Sequence, residues 1–262
     1  MASPIIRSLL LAVLLGGQFV SAQPQVAIME KAPFLAAALS QFISDTRTFT
    51  ANANLTVTDT NGAPVQMPFG VAMDNGKMRF DLNLAQVKSE TLNESSVTAI
   101  KGLNLDRLMF VYFPGQPTRL VFPGMRAFVE MPLDNSLSQV QDKATDQASR
   151  IQKQFLGAEA AAGVAARKYR LSIPGQQQNA FVWEAPALND LPVQLAVNSG
   201  GQNYQFSFRN VRQGPVDPRT FGIPANFRKY NSMTELMTQA VQISGANALS
   251  SVLGGLGATA TP

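Results

Sequence analysis

The chain has 262 residues, 45% of them hydrophobic and only 15% charged, with no histidine and no cysteine. That composition excludes a disordered protein, and the missing residue types exclude disulfides, thiolate metal sites, thiol nucleophiles, Ser-His-Asp hydrolysis and most zinc sites. The formal net charge of +4 comes from scattered basic residues without a basic stripe, which argues against nucleic acid as a partner.

Arg7 precedes an apolar run over residues 9–15, and Val20-Ser21-Ala22 supplies the small residues that signal peptidase needs. The run is about half the roughly 20 residues a membrane span requires. Residues 1–22 therefore read as a cleaved secretory leader, and no integral membrane span is expected in the mature chain. Gln23 follows the cleavage point, and with no cysteine to acylate the mature protein is expected to be soluble and unanchored in the periplasm. Residues 23–253 are expected to form one domain, with 254–262 a flexible tail.

Apolar residues from Ile28 to Phe42 recur mostly at helical spacing, with Pro33 suited to a first turn. From Phe49 the period becomes two, with Phe49, Ala51, Ala53, Leu55 and Val57 alternating with polar residues. Asn61-Gly62 predicts a hairpin turn. A second strand places Val65, Met67, Phe69, Val71 and Met73 on one face. After Asp74-Asn75-Gly76, a third places Met78, Phe80, Leu82 and Leu84 likewise.

Further strands are predicted over residues 108–113, 119–122 and 127–131, separated by Pro-Gly turns. Ser136 and Gln139 make a capping box, and Leu137, Val140, Ala144, Ala148, Ile151 and Phe155 then predict a helix over 136–154. A hairpin around Ala161-Ala162-Gly163 follows, with strands near 164–173, 180–184 and 193–197, and period-two Tyr204, Phe206 and Phe208. Ser232 opens a last helix with Leu236, Met237, Ala240 and Ile243 on its apolar side, proposed as a contact for a partner. The fold class expected is mainly β: an antiparallel meander curled into an unclosed half-barrel with helices packed over its concave face.

Catalytic candidates are sparse. Asp134, Asp142, Glu159, Glu184, Asp190 and Asp217 show no spacing that pairs carboxylates for glycoside hydrolysis. The Asp59-Thr60-Asn61-Gly62 segment lacks the later acidic ligand of a calcium loop, and the glycines lie between strands, where no phosphate loop forms. No enzyme activity, metal or cofactor is expected. Arg167, Lys168 and Arg170 around Tyr169 read as a solvated strand edge, and Trp183 as a core or rim aromatic.

The informative feature is one greasy face carrying Met67, Phe69, Met73, Met78, Phe80, Leu82, Phe110, Tyr112, Phe206 and Phe208. Something apolar must cover it. Helices covering it completely would make a plain core, whereas incomplete cover would leave a cavity for lipid acyl chains, to which the flexible methionines could adapt.

Two stretches carry a family resemblance. One is Thr48-Phe49-Thr50-Ala51 through Val57-Thr58-Asp59 and Asn61-Gly62-Ala63-Pro64-Val65-Gln66. The other is Tyr204-Gln205-Phe206-Ser207-Phe208 followed by Asp217-Pro218-Arg219-Thr220-Phe221-Gly222-Ile223-Pro224. They resemble the opening strands, the last strand and the D-x-x-x-F-x-x-P closure of the periplasmic lipoprotein carrier family, LolA and LolB with uncharacterised exported relatives. The resemblance implies an unclosed barrel with a helical lid over a hydrophobic cavity. The family's basic residue before proline ahead of the third strand has no counterpart at Asp74-Asn75-Gly76, so its lid latch is not carried over. The expected function is a soluble periplasmic carrier of lipid or lipoprotein acyl chains. The alternative is a non-catalytic envelope protein whose half-barrel is self-filled and whose surface docks another envelope protein.

Overall fold

The computed structural model describes residues 48–59, 64–89, 94–131, 150–172, 174, 180–199 and 202–244. The expected leader, the first helix, the Asn61-Gly62 turn, residues 136–149 of the expected central helix and the tail lie outside the described residues.

β1 (Phe49–Asp59), β2 (Val65–Asp74) and β3 (Lys77–Asn83) pair antiparallel in sequence order. At the β2–β3 turn Asn75 and Gly76 take φ of 48° and 82°, the two positive angles of a hairpin turn whose twist matches its strands. β4 (Arg107–Tyr112), β5 (Thr118–Phe122) and β6 (Ala127–Met131) continue the meander. A second meander runs through β7 (Gln152–Ala161), β8 (Val164–Ser172), β9 (Ala180–Ala185), β10 (Leu191–Ser199) and β11 (Gln202–Gln213). β11 returns to pair with β1, and β12 (Arg228–Tyr230) lies parallel to β6. The result is one 12-stranded sheet, in the order β12-β6-β5-β4-β3-β2-β1-β11-β10-β9-β8-β7, that does not close on itself.

Bulges help such a sheet to bend. Between β1 and β11 the register steps from Thr50↔Arg212 to Asn52↔Arg209, leaving one extra residue on β11. Asn210 falls in this step with φ 53°, a left-handed conformation that asparagine tolerates better than most residues.

The carboxyl end of the expected helix over 136–154 is corrected: Gln152 to Phe155 open β7. Ile151 and Phe155 are four apart, which fits one helix face and one strand face equally. The ladder with β8, closed by a tight turn at Ala162 and Gly163, decides for strand. The basic group at Arg167, Lys168 and Arg170 is also corrected. It lies on β8, one strand in, and β7 forms the edge.

Two α-helices are described, one of them unexpected. α1 (Glu94–Gly102) ends with Asn104 at φ 57°, and the Leu105 and Asn104 N–H groups donate to the carbonyls of Ile100 (3.0 Å) and Lys101 (2.9 Å). Ile100 and Leu105 are buried in one cluster, completing a Schellman cap with its apolar contact. α2 (Met233–Ser244) is capped by Ser232, whose Oγ accepts from the Glu235 N–H at 3.1 Å, while the Glu235 carboxylate accepts from the Asn231 N–H at 2.9 Å. Its apolar side packs at home, with Leu236 and Ala240 buried beside Val129 and Tyr230. Of the four residues on that side, Leu236 and Ala240 are thus taken up by the sheet, while Met237 is half-buried and Ile243 exposed.

The outer face of β2–β5 is covered by the segment that follows β11. Val216 and Phe221 bury Ala72, Met109, Val111 and Val121. Asp217 caps the short 3-10 turn Pro218–Phe221 by accepting from the Arg219 N–H at 2.9 Å. Arg79 on β3 binds Asp81 and donates to the Thr220 carbonyl at 2.6 Å, which fastens the segment to the sheet. This is the D-x-x-x-F-x-x-P stretch, and its work here is to cover apolar surface.

Candidate functional site

Strand alternation and register put every residue chosen from the sequence on the inner face. Phe69 lies opposite Leu82, Met73 opposite Met78, Phe80 opposite Phe110, and Met78 opposite Tyr112. Across β1, Leu55 faces Met67 on one side and Phe206 on the other, while Ala53 faces Phe69 and Phe208.

Met73, Met78, Phe206 and Phe208 are buried, and Met67, Phe69, Phe80, Leu82, Phe110 and Tyr112 are half-buried. They divide between two clusters. Phe69, Phe80 and Tyr112 join the buried residues in a cluster that reaches from β3 across β1 to β8. Met67, Leu82 and Phe110 lean on the other, which Ala99 and Ile100 of α1 and Leu236 and Ala240 of α2 help to build. Among the described residues, neither helix contributes to the first cluster. Among the described residues, the helices thus sit over the β4–β6 end of the face, and the cluster around β1, β2 and β11 is built from strand side chains together with Leu188 and Ile151.

Sequence reading missed two features of this face. The small side chain of Ala53 on β1 lets rings from both neighbouring strands meet above it: Phe69 meets Phe80 at 6.1 Å and Phe206 at 5.5 Å, and Phe206 meets Phe208 at 4.6 Å between centroids. At the far end of β11 the Tyr204 hydroxyl donates to Gln202 Oε1 at 2.6 Å, both side chains being buried. Burial pushes the Tyr204 phenol above its usual pKa, so this polar corner is uncharged. Period two predicts that Tyr204 faces inward and puts Gln202, two residues earlier, on the same face, though not that the two side chains bond.

The carboxylates are engaged elsewhere. Glu159 pairs with Lys168 at 3.0 Å, Asp190 with Arg167 at 3.6 Å, Asp217 with Arg219 at 2.6 Å, and Glu184 with Lys153. The Trp183 indole hydrogen bond, with help from Lys168, holds the Glu159 carboxyl below the usual glutamate range, opposite to the shift a general acid needs. Trp183 itself is a buried outer-face aromatic, with the Lys168 ammonium 4.9 Å from its ring. Among the described residues no group of three or more His, Cys, Asp or Glu could hold a metal ion, and no helix is long and apolar enough to cross a membrane.

No protein-family model and no curated protein matches the sequence. Among solved structures, the chain is similar to MucB of Pseudomonas aeruginosa in its complex with MucA, at 15% identity and a TM-score of 0.41. That match spans 73% of this chain and 62% of MucB, less than two-thirds of the relative's length. It is similar to the lipoprotein LppX of Mycobacterium tuberculosis at 16% identity and a TM-score of 0.41, over 71% of this chain and 98% of LppX. It is also similar to a LolA superfamily protein of Nitrosomonas europaea at 10% identity and a TM-score of 0.34, over 73% and 97% of the two chains.

Proposed function

We propose that the inner face binds acyl chains, and that the protein is a non-catalytic periplasmic carrier of lipid or of lipidated protein. The observation that carries this reading is the half-buried row Met67, Phe69, Phe80, Leu82, Phe110 and Tyr112, on one face of an unclosed sheet. Each methylene moved from water onto such a face contributes about 0.8 kcal/mol. A chain with a dozen buried methylenes therefore gains on the order of 10 kcal/mol before ordering costs. The thioethers of Met67, Met73 and Met78 repack around chains of different shape. The expected leader, residues 1–22, supplies the route to the periplasm, and amino-terminal sequencing of the exported protein should begin at Gln23.

Purification without detergent, followed by solvent extraction and lipid mass spectrometry, tests the reading. The expected result is an acyl lipid at close to one per protein, and reloading of the stripped protein by added phospholipid. A stripped protein that takes up no amphiphile overturns it.

A second reading, a self-filled sheet that docks another envelope protein, is favoured by the rings of Phe69, Phe206 and Phe208, which already pack against one another. It predicts the opposite outcome in the same extraction.

A further inference from the structure

The sheet has two edges of very different character. β12 is 3 residues long, whereas β7 runs for 10 and is exposed along most of its length. On β7, Phe155 is 58% and Leu156 40% exposed. Ile243, exposed to 67%, belongs to α2, which packs at the β6–β12 end of the sheet, away from β7.

A bulge coincides with the apolar pair. Phe155 lies opposite Tyr169 and Gly157 opposite Lys168, so Leu156 has no cross-strand partner, and Gly157 takes φ 147°. A bulge and an edge lysine are two devices that stop an exposed strand from pairing with another strand. Lys153 supplies the second. This edge is guarded against strand addition, yet it presents two adjacent apolar side chains.

The charge around that pair is one-sided. Residues 150–172 hold Arg150, Lys153, Arg167, Lys168 and Arg170 against Glu159 alone, a net of +4 that equals the formal charge of the whole chain. Glu184, Asp190 and Glu159 engage Lys153, Arg167 and Lys168 respectively. Arg150 and Arg170 are exposed and have no acidic partner among the described residues.

We propose that the β7–β8 edge is the surface by which this protein docks on an anionic phospholipid bilayer. Phe155 and Leu156 enter the headgroup layer, and Arg150 and Arg170 meet lipid phosphates. Apolar tips flanked by cations are the chemistry of interfacial binding. The free backbone groups of the edge strand limit the depth, because they cannot be left unpaired in hydrocarbon. The contact does not rest on acyl-chain binding by the inner face, since it needs no occupied cavity.

The test is co-sedimentation of the exported, stripped protein with vesicles of phosphatidylcholine containing phosphatidylglycerol, against phosphatidylcholine alone. The protein should bind the anionic vesicles, release them as salt is raised, and bind about tenfold more weakly as the Phe155→Ser/Leu156→Ser or the Arg150→Glu/Arg170→Glu variant. Both variants change exposed side chains, and near-ultraviolet circular dichroism confirms that each is folded. Failure of the wild type to bind anionic vesicles overturns the proposal, as does undiminished binding by both folded variants. A wild-type dimer in sedimentation velocity that the Phe155→Ser/Leu156→Ser variant dissolves, without vesicle binding by either, assigns the edge to a second copy of the chain instead.

Discussion

Phe69 on β2 and Phe206 on β11 meet with ring centroids 5.5 Å apart, although β1 runs between their strands. Ala53 permits this, because it lies opposite Phe69 and next along the ladder to Phe206 and leaves the space above β1 to the rings. Ala53→Leu should force the rings apart and cost about 1–3 kcal/mol by overpacking. Thermal unfolding measures the loss, and an unchanged midpoint would show that the space above β1 is not occupied by rings.

Gly124 is needed for a close approach. A Cβ there would stand 2.6 Å from the carbonyl oxygen of Asn104, a backbone atom in the cap of α1. Gly124→Ala should therefore shift α1 against the sheet and lower stability by about 1–3 kcal/mol. Denaturant titration reads this directly, and wild-type stability would mean that the cap yields without strain.

Ala162 takes φ 52° at the β7–β8 turn, a left-handed angle that costs a residue with a Cβ about 1 kcal/mol. Asparagine tolerates this region better, so Ala162→Asn should stabilise the protein by about 0.5 kcal/mol. A lowered melting temperature would contradict the turn geometry.

Glu130 on β6 fastens two neighbours, accepting from Lys229 of β12 and from Arg119 of β5. The hydrogen bond from Lys229, followed by that from Arg119, holds its carboxyl below the usual glutamate range. A depressed folded pKa means that this stabilisation is present above the unfolded value and is lost as pH falls through the folded one. The melting temperature of Glu130→Gln should therefore lie below that of the wild type at neutral pH, with the gap closing in acid. A gap independent of pH would contradict the assignment.

Much of this was legible in the sequence, and for a physical reason. The half-buried strands alternate, so Met67, Phe69, Met78, Phe80, Phe110 and Phe206 could be assigned to one face before any coordinates. The pairing of β1 with β11 was not legible, because it joins residues more than a hundred positions apart that no local signal links; yet it alone brings Phe206 beside Phe69. Helix α1 escaped notice because Ser95, Ser96, Val97 and Thr98 are modest helix formers, and its stability comes from burying Ile100 on the sheet. Missing α1 also hid the reason for Gly124, which reads locally as an ordinary Pro-Gly turn. The spacing of Ile151 and Phe155 suited helix and strand alike, and only the β8 partner settles it. That misreading concealed the exposed edge of the sheet.

The most direct test of the central claim is photo-crosslinking of the stripped protein reloaded with a phospholipid that carries a diazirine near the end of one acyl chain, with adducts mapped to single residues. Acyl-chain binding on the inner face predicts adducts at Phe69, Phe80, Phe110 and Phe206. Adducts confined to outer-face residues such as Phe181 or Phe128, or to Phe155 and Leu156 at the β7 edge, would contradict it.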